Sequence, residues 1–266
     1  MRVLPLVLSL LASPLAAHEF WIEPLAFQVA PDGKVEAHIV NGEEFKGRAL
    51  PYLPRNFVHF VSFSGGQARP VDGRLGDSPA LSLDPAGEGL HVIAYQARNQ
   101  TLTYEEAEKW DRFVAHKDLG AVAAAHESRG LPETDFVEVY SRYSKSLVAV
   151  GAGEGADFRT GLETELVALD NPYVDDVSGG MRVQLFYREE VRANEQVEIY
   201  EKAPDGTVAV TVLRTDADGI AVVPVKPGHV YMADAVVLRE PAPALASETG
   251  AVWETLWANL TWSVPG

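Results

Sequence analysis

The sequence predicts a mainly β protein, in which a β-rich N-terminal domain carries a helical insertion and a β-sandwich follows. Three observations predict this class. Short segments of alternating apolar and polar residues end at Gly, Pro or Asp throughout the chain. One segment, 104–129, instead has apolar residues at helical spacing. After residue 178, six or seven strand-like segments follow one another at short intervals, as in a β-sandwich.

The first seventeen residues have the pattern of a secretory signal peptide. Arg2 precedes an apolar run over 3–12, and small residues at 13–17 offer a cleavage site between Ala17 and His18. The apolar run is too short to span a bilayer, and no later stretch has eighteen consecutive apolar residues. We therefore expect a periplasmic or secreted protein after removal of 1–17, with no membrane insertion of the mature chain.

The composition excludes several classes of function. Asp and Glu number 38 against 22 Lys and Arg, a formal net charge of −16 that becomes −17 without the leader. A surface of this sign repels phosphate backbones, so nucleic acid is not an expected partner. The chain has no cysteine, which excludes disulfides, thiolate metal sites and cysteine nucleophiles.

The elements follow in order along two predicted domains. The N-terminal domain, 18–170, begins with an antiparallel meander, continues with the helical insertion 104–129, which Gly120 divides, and returns to a strand over 136–150. In that strand, Glu138 and Arg142 are expected to pair on one face. A Pro- and Gly-containing linker leads to the sandwich domain, 178–266. The remaining predicted strands are 35–40, 57–63, 90–96, 162–169, 181–187, 195–201, 207–214, 220–225, 230–238 and a last strand that contains 256–262.

His18 is the leading candidate for chemistry, because cleavage after Ala17 would make it the first residue. Its free α-amine and its imidazole nitrogen could then chelate one divalent transition metal ion, with Ni or Co favoured and Cu as the alternative. Further ligands must come from elsewhere in the fold, and we predict His38, which precedes a turn, and His126, near a helix end. No residue is predicted to be catalytic or to bind an organic cofactor.

Several motifs together resemble one family. They lie at 18–24, 40–47, 138–151, 215–219 and 253–262. They are similar to a bacterial family of uncharacterised secreted proteins that open with His-Glu-Phe-Trp and are often labelled periplasmic components of cobalt or nickel uptake. The turn at 215–219 also resembles that of prealbumin-like sandwiches, which implies a prealbumin-like or immunoglobulin-like sandwich.

The resulting functional expectation is a periplasmic metal-binding protein, and an enzyme is less favoured. It would capture nickel or cobalt, or copper, and present the ion to a membrane transporter component. Two alternatives stay open. One is a copper oxidase or monooxygenase in which His18 and a second histidine form a brace. The other is a metal-free binding or scaffolding module. The sequence has no nucleophile elbow, phosphate-binding loop or dinucleotide fingerprint.

Overall fold

The computed structural model describes residues 19–266. The predicted signal peptide and His18 lie outside the described residues. Within 19–266 the chain forms eighteen β-strands, three α-helices and one short 3-10 turn at Pro54–Asn56. The predicted fold class is therefore confirmed: the protein is mainly β, with several sheets, a helical insertion and a β-sandwich.

The element bounds are as follows. The first ten strands are β1 (Glu19–Pro24), β2 (Gln28–Val29), β3 (Val35–Glu43), β4 (Lys46–Leu50), β5 (Phe57–Ser64), β6 (Gln67–Pro70), β7 (Leu81–Leu83), β8 (Gly89–Ala97), β9 (Gln100–Tyr104) and β10 (Phe136–Val150). The later strands are β11 (Thr164–Ala168), β12 (Met181–Tyr187), β13 (Glu190–Val191), β14 (Gln196–Lys202), β15 (Val208–Arg214), β16 (Ile220–Val223), β17 (Val230–Arg239) and β18 (Ala251–Ser263). The helices are α1 (Ala107–His116), α2 (Ala121–Ser128) and α3 (Pro243–Thr249).

The strands of 19–266 form three sheets. The largest has ten strands, with the order β15-β14-β17-β18-β10-β8-β5-β6, and β2 and β9 also pair with β10. A second sheet joins β1, β3, β4 and β7, and the third joins β11, β12, β13 and β16. The central contact of the large sheet is the parallel pairing of β10 with β18. It joins strands that are about a hundred residues apart in sequence.

The two faces of the large sheet pack against different partners. One face forms the sandwich core with β11, β12 and β16, and Val197, Ile199 and Leu260 point into it. On the other face, β1 and β3 pack over one part of the sheet, where Val148 and Ile93 lie. The helical insertion packs over another part of this same face, where Trp253 and Trp257 lie. The boundary between β1 and α1, which we call the seam, therefore crosses this face of the large sheet.

The helical insertion is shorter than predicted. Gln100–Tyr104 forms the edge strand β9, so the first helix begins only at Ala107. Trp110 and Phe113 lie on its buried face, and the chain turns after the helix at Asp118, which has a positive φ of 54°. None of the helices within 19–266 has the length and apolar character needed to span a bilayer.

Candidate functional site

A row of polar residues crosses four neighbouring strands of the large sheet. Glu198 pairs with Asp234, Asp234 with Asn259, and Asn259 with Ser144, so all four residues share one face. Strand alternation explains this position, because Val197 and Ile199 on either side of Glu198 point into the sandwich core. The row lies on the face that β1 and α1 cover.

The start of β1 crosses this row and is held there by side-chain hydroxyls. Ser144 Oγ donates to the carbonyl of Phe20 at 3.0 Å, and Thr261 Oγ1 donates to the carbonyl of Ile22 at 2.7 Å. These bonds fix the position of Glu19 at the start of β1. Lys117, at the end of α1, reaches the same polar row from the other side. We call the resulting group the seam cluster. Its members are Glu19, Lys117, Arg142, Glu198, Tyr200, Asp234 and Asn259.

Lys117 is the central cation of the seam cluster. Its Nζ lies 2.6 Å from Glu198 Oε2 and 3.2 Å from Asp234 Oδ2, and 4.8 Å from the centre of the Trp257 ring. Burial acts against the charged ammonium, but Asp234 and Glu198 outweigh burial and raise the pKa of Lys117. Burial also acts to raise the pKa of Glu198, yet Lys117 and the hydrogen bonds to this carboxylate hold that pKa below its ordinary value.

Tyr200 links two carboxyl groups of the cluster. Its Oη lies 2.7 Å from Glu198 Oε2 and 3.0 Å from Glu19 Oε1, although a hydroxyl has one proton to donate. Because Glu198 is ionised, it accepts the one hydrogen bond that the Tyr200 hydroxyl can donate. The contact between Tyr200 and Glu19 is then a hydrogen bond when Glu19 is protonated and donates to Tyr200 Oη. Burial and the nearby Asp234 raise the pKa of Glu19 from 4.5 to about 7, in agreement with this arrangement. Glu19 Oε2 accepts from the backbone N–H of Glu44 at 2.9 Å.

Other polar atoms of the cluster have no hydrogen-bond partner within residues 19–266. They are Asp234 Oδ1, Nη1 of Arg142, and both amide atoms of Asn259. Asp234 is 1% exposed and Asn259 is 2% exposed, so both side chains are buried. A buried polar group without a partner costs free energy, which makes these atoms candidates for contact with a ligand. Burial raises the pKa of Asp234 although Lys117 opposes the effect.

The predicted ion pair of Glu138 with Arg142 takes a different form. The two residues share a face, as alternation predicted. However, Glu138 accepts hydrogen bonds from Tyr104 and Thr255, and the guanidinium of Arg142 lies 4.0 Å from the centre of the Trp257 ring. Aromatic contact thus holds Arg142 in place, and its positive charge acts on Glu138 without a direct bond.

A second buried ionic network lies on the opposite face of the large sheet, and its charges balance one another. Lys145 Nζ lies 2.7 Å from Asp157 Oδ1 and 3.2 Å from Glu165 Oε1, and Arg159 Nε lies 3.3 Å from Glu165 Oε2. Two cations thus balance two carboxylates. Both carboxylates also accept backbone hydrogen bonds, from Ala168 and from Thr160. This network ties the loop after β10 to the sheet and leaves no excess charge for a ligand.

Two of the predicted metal ligands, His38 and His126, lie in different parts of the fold. His18 is outside the described residues. His38 is half-buried on β3 opposite Glu23, and its Nδ1 has no partner among residues 19–266. His126 uses both ring nitrogens: Nδ1 accepts from Trp253 Nε1 at 2.9 Å, and Nε2 lies 2.8 Å from the carbonyl of Pro132. Metal binding by His126 stays a prediction that would require one of these bonds to break.

Sequence reasoning did not identify most of the seam cluster. The described residues 19–266 contain no group of three or more His, Asp or Glu side chains already arranged for a metal ion. The signal that could have pointed to the cluster is Asp234, a single acid within the apolar run of β17. Glu198 is a second acid at an alternating position, and a buried charge of this kind normally has a partner.

The fold and the seam cluster define a β-sandwich protein with a buried ionic seam beside its first strand. Residues 15–239 match the family described as "Domain of unknown function (DUF4198)". The chain therefore belongs to this family, whose match includes β1, α1, β10, β14 and β17, the elements that carry most of the seam cluster.

The other comparisons add little. No curated protein matches the chain. One solved structure with some similarity is described as "Crystal structure of tetra-tandem repeat in extending region of large adhesion protein". It is 11% identical, with a TM-score of 0.23, over 93% of this chain and 49% of that chain. This chain thus spans about half the length of that structure, and the likeness is too slight to support an argument.

Proposed function

We propose that this protein is a periplasmic or secreted binding protein for a divalent transition metal ion, held between the N-terminal His18 and the seam cluster. Nickel or cobalt is favoured, and copper is the alternative. The similarity of the opening and central motifs to proteins labelled as cobalt or nickel uptake components supports a role in delivering the ion to a transporter.

The observation that carries this proposal is the position of Glu19. Its side chain lies 3.0 Å from Tyr200 and accepts from Glu44, so its backbone is fixed beside the polar row. Residue 18 is bonded to Glu19, and consecutive Cα atoms are about 3.8 Å apart. After the predicted cleavage, the amine and imidazole of His18 would therefore start next to the seam cluster.

The charges of the cluster suit a bound cation. Three carboxyl groups, of Glu19, Glu198 and Asp234, face two cationic groups, of Lys117 and Arg142. Ionisation of Glu19 leaves one carboxylate in excess. Burial is the main cause that raises the pKa of Glu19 and of Asp234, and a neighbouring carboxylate adds to the effect in each case. A bound cation would favour the ionised forms of both groups.

The donor atoms also fit the proposed metals. Asp234 and Asn259 offer buried oxygen atoms without a protein partner among residues 19–266. His18 would add two nitrogen donors, and mixed nitrogen and oxygen ligands suit nickel, cobalt, copper and zinc. In this arrangement His18 would anchor the ion, the carboxylates of Glu19 and Asp234 would supply negative charge, and Lys117 would keep Glu198 ionised.

The test is a metal titration of the mature protein, of two forms altered at its N-terminus and of one control variant. Calorimetry with Ni²⁺ and with Cu²⁺ should show stoichiometric binding to the chain that starts at His18. One alanine added before His18, or His18→Ala, should weaken binding at least about tenfold, or about 1.4 kcal/mol. His59→Ala, which removes an exposed histidine, is the control and should bind as the wild type does.

A second pair of variants tests the position in the seam. Asp234→Asn keeps the shape of a buried side chain and should also weaken binding about tenfold. Asp205→Asn makes the same change in an exposed turn and should have no effect. Equal affinity with and without the added alanine would contradict the anchor role of His18, and the absence of stoichiometric binding in every form would favour the metal-free scaffolding alternative.

One observation favours the copper enzyme as a second candidate. The histidine next to the seam cluster is His116, whose Nε2 lies 3.1 Å from Glu198 Oε1 and whose side chain is 63% exposed. It contacts a member of the seam cluster and would serve as the second histidine of the brace. Copper-dependent oxygen consumption with ascorbate, lost in His116→Ala although copper still binds, would support an oxidase; inert copper would support the binding protein.

A further inference from the structure

One edge of the large sheet is open. β15 pairs with β14 over seven residues in unbroken register, from Gln196↔Arg214 to Lys202↔Val208. On its other side no strand within residues 19–266 pairs with it. Its outward N–H and C=O groups are therefore available to another strand.

The edge lacks the features that normally prevent strand addition. β15 has no Pro, Gly or bulge, and Arg214 at its end is its one charged residue. At the opposite edge of the sheet, β6 has four residues and includes both Arg69 and Pro70, which protect it. β6 is thus protected against strand addition and β15 is not, as expected if β15 pairs with a partner.

The side chains along β15 are apolar as well as exposed. Val210 is 43% exposed and Val212 is 55% exposed, and the two share a face because they alternate along the strand. They lie directly opposite Tyr200 and Glu198 of the seam cluster. The two exposed valines therefore lie one strand away from the candidate site.

We propose that β15 pairs antiparallel with β15 of a second copy of this chain, about a two-fold axis at Thr211. In this register Val210 of each copy lies opposite Val212 of the other, so the exposed valines form two β-branched cross-strand pairs. The contact is self-complementary, as a two-fold interface requires.

Charge also favours this occupant. The chain has a net charge of −16, so most surfaces of two copies repel each other. β15 carries no acidic residue and can approach its copy without placing like charges opposite each other, since Val208 would face Arg214. The two large sheets would join into one continuous sheet, with a candidate metal site on either side of the joint.

The first experiment measures mass in solution. Light scattering after size-exclusion chromatography, over a wide concentration range, should show a concentration-dependent dimer. Val212→Lys should weaken the dimer at least about tenfold, because it places a charge opposite an apolar side chain. The control is Val222→Lys, an equally exposed valine of β16, which should dimerise normally; circular dichroism confirms that both variants fold.

The second experiment uses the absence of cysteine from the chain. Thr211→Cys places one thiol at the proposed axis and should form a disulfide-linked dimer under mild oxidation. Val222→Cys should form no disulfide-linked dimer under the same conditions. A monomeric wild type at every concentration, equal loss of the dimer in both lysine variants, or equal cross-linking of both thiols would overturn the proposal. None of these outcomes depends on metal binding.

Discussion

At the scale of single residues, Lys117 determines the charge state of the seam cluster. Its ammonium contacts Glu198 and Asp234, both of which are buried. Lys117→Met keeps the length and apolar stem of the side chain but leaves these carboxylates without their cation. We expect a loss of about 3–5 kcal/mol in the free energy of unfolding, measured by urea denaturation in metal-free buffer.

The same variant has a second readout. Because Lys117→Met removes a cation that competes for the same carboxylates, added Ni²⁺ should restore part of the lost stability. Lys109→Met, which breaks an ion pair with Glu106 at the start of α1, is the control and should cost less than about 1 kcal/mol. Equal losses in the two variants would show that Lys117 is not the central cation.

The burial of His91 predicts a pH dependence of stability that does not involve the seam cluster. It is fully buried on β8, with Nε2 3.0 Å from the carbonyl of Gly87. Burial lowers its pKa below the ordinary value of 6.5. The folded protein therefore binds this proton less readily than the unfolded chain, so stability is full above pH 6.5 and falls as the pH drops below it.

The measurement compares unfolding free energy at several pH values. His91→Gln removes the titrating group, so its stability should fall less steeply between pH 7 and pH 5 than that of the wild type. His59→Gln changes an exposed histidine of the neighbouring strand and should leave the slope unchanged. Identical slopes for His91→Gln and the wild type would contradict the prediction.

The residue scale also marks the limit of sequence reasoning about the site. Alternation correctly placed Glu138 and Arg142 on one face, because strand geometry fixes the direction of side chains. It could not show that Tyr104 and Thr255 bond Glu138, or that α1 brings Lys117 to Glu198, 81 residues away. These contacts depend on packing between elements and have no local signal.

At the scale of elements, β1 depends on the sheet beneath it. Thr261 Oγ1 donates to the carbonyl of Ile22, and this is its shortest contact. Thr261→Val keeps the shape of the side chain but leaves that carbonyl without its donor. We expect the free energy of unfolding to fall by about 1–3 kcal/mol. Amide hydrogen exchange in Glu19–Pro24 should become faster than in the wild type, with a smaller change in the large sheet.

The control for this prediction is Thr211→Val on the exposed strand β15, which should change stability by about 0.5 kcal/mol or less. If β1 exchanges at the wild-type rate in Thr261→Val, the hydroxyl does not hold β1 in place. On the proposed function, the metal affinity of the mature protein should fall in Thr261→Val as well, because β1 positions Glu19 and residue 18 is bonded to Glu19.

Most elements could be predicted from sequence, because their apolar periodicity is strong. The predicted strands 136–150 and 181–187 have the bounds of β10 and β12. α3 was missed, although Pro243 at its start and Gly250 after its end, with a φ of 71°, are usual helix signals. It has only seven residues and buries none of them, so it shows no helical periodicity.

One turn shows how packing overrides a local signal. The predicted strand 35–40 ends before Asn41 and Gly42, but β3 continues to Glu43 and the chain turns at Glu44 and Phe45, both with positive φ. Gly42 instead lies opposite Gly47, where a side chain would meet the carbonyl of Lys46. The turn at Glu44 positions the N–H that bonds Glu19.

At the scale of the whole molecule, the large sheet joins the two predicted domains. β10, from the segment 18–170, pairs with β18, from the segment 178–266, along ten residues. The sandwich core contains Leu90 and Leu147 together with residues of the later strands. Sequence periodicity cannot predict this pairing, because it depends on contacts between distant segments. The proposed boundary near 170–178 stays a prediction about independent folding.

Calorimetry can test that boundary. Because both segments share one sheet and one core, we expect a single thermal transition whose calorimetric and van't Hoff enthalpies agree. Ile93→Val in β8 and Ile199→Val in β14 each remove one buried methyl group, at a cost of about 0.5–1.5 kcal/mol. Each should shift the whole transition by about 2–4 °C per kcal/mol lost. Two transitions, each shifted by one substitution, would show instead that the segments before 170 and after 178 unfold as separate domains.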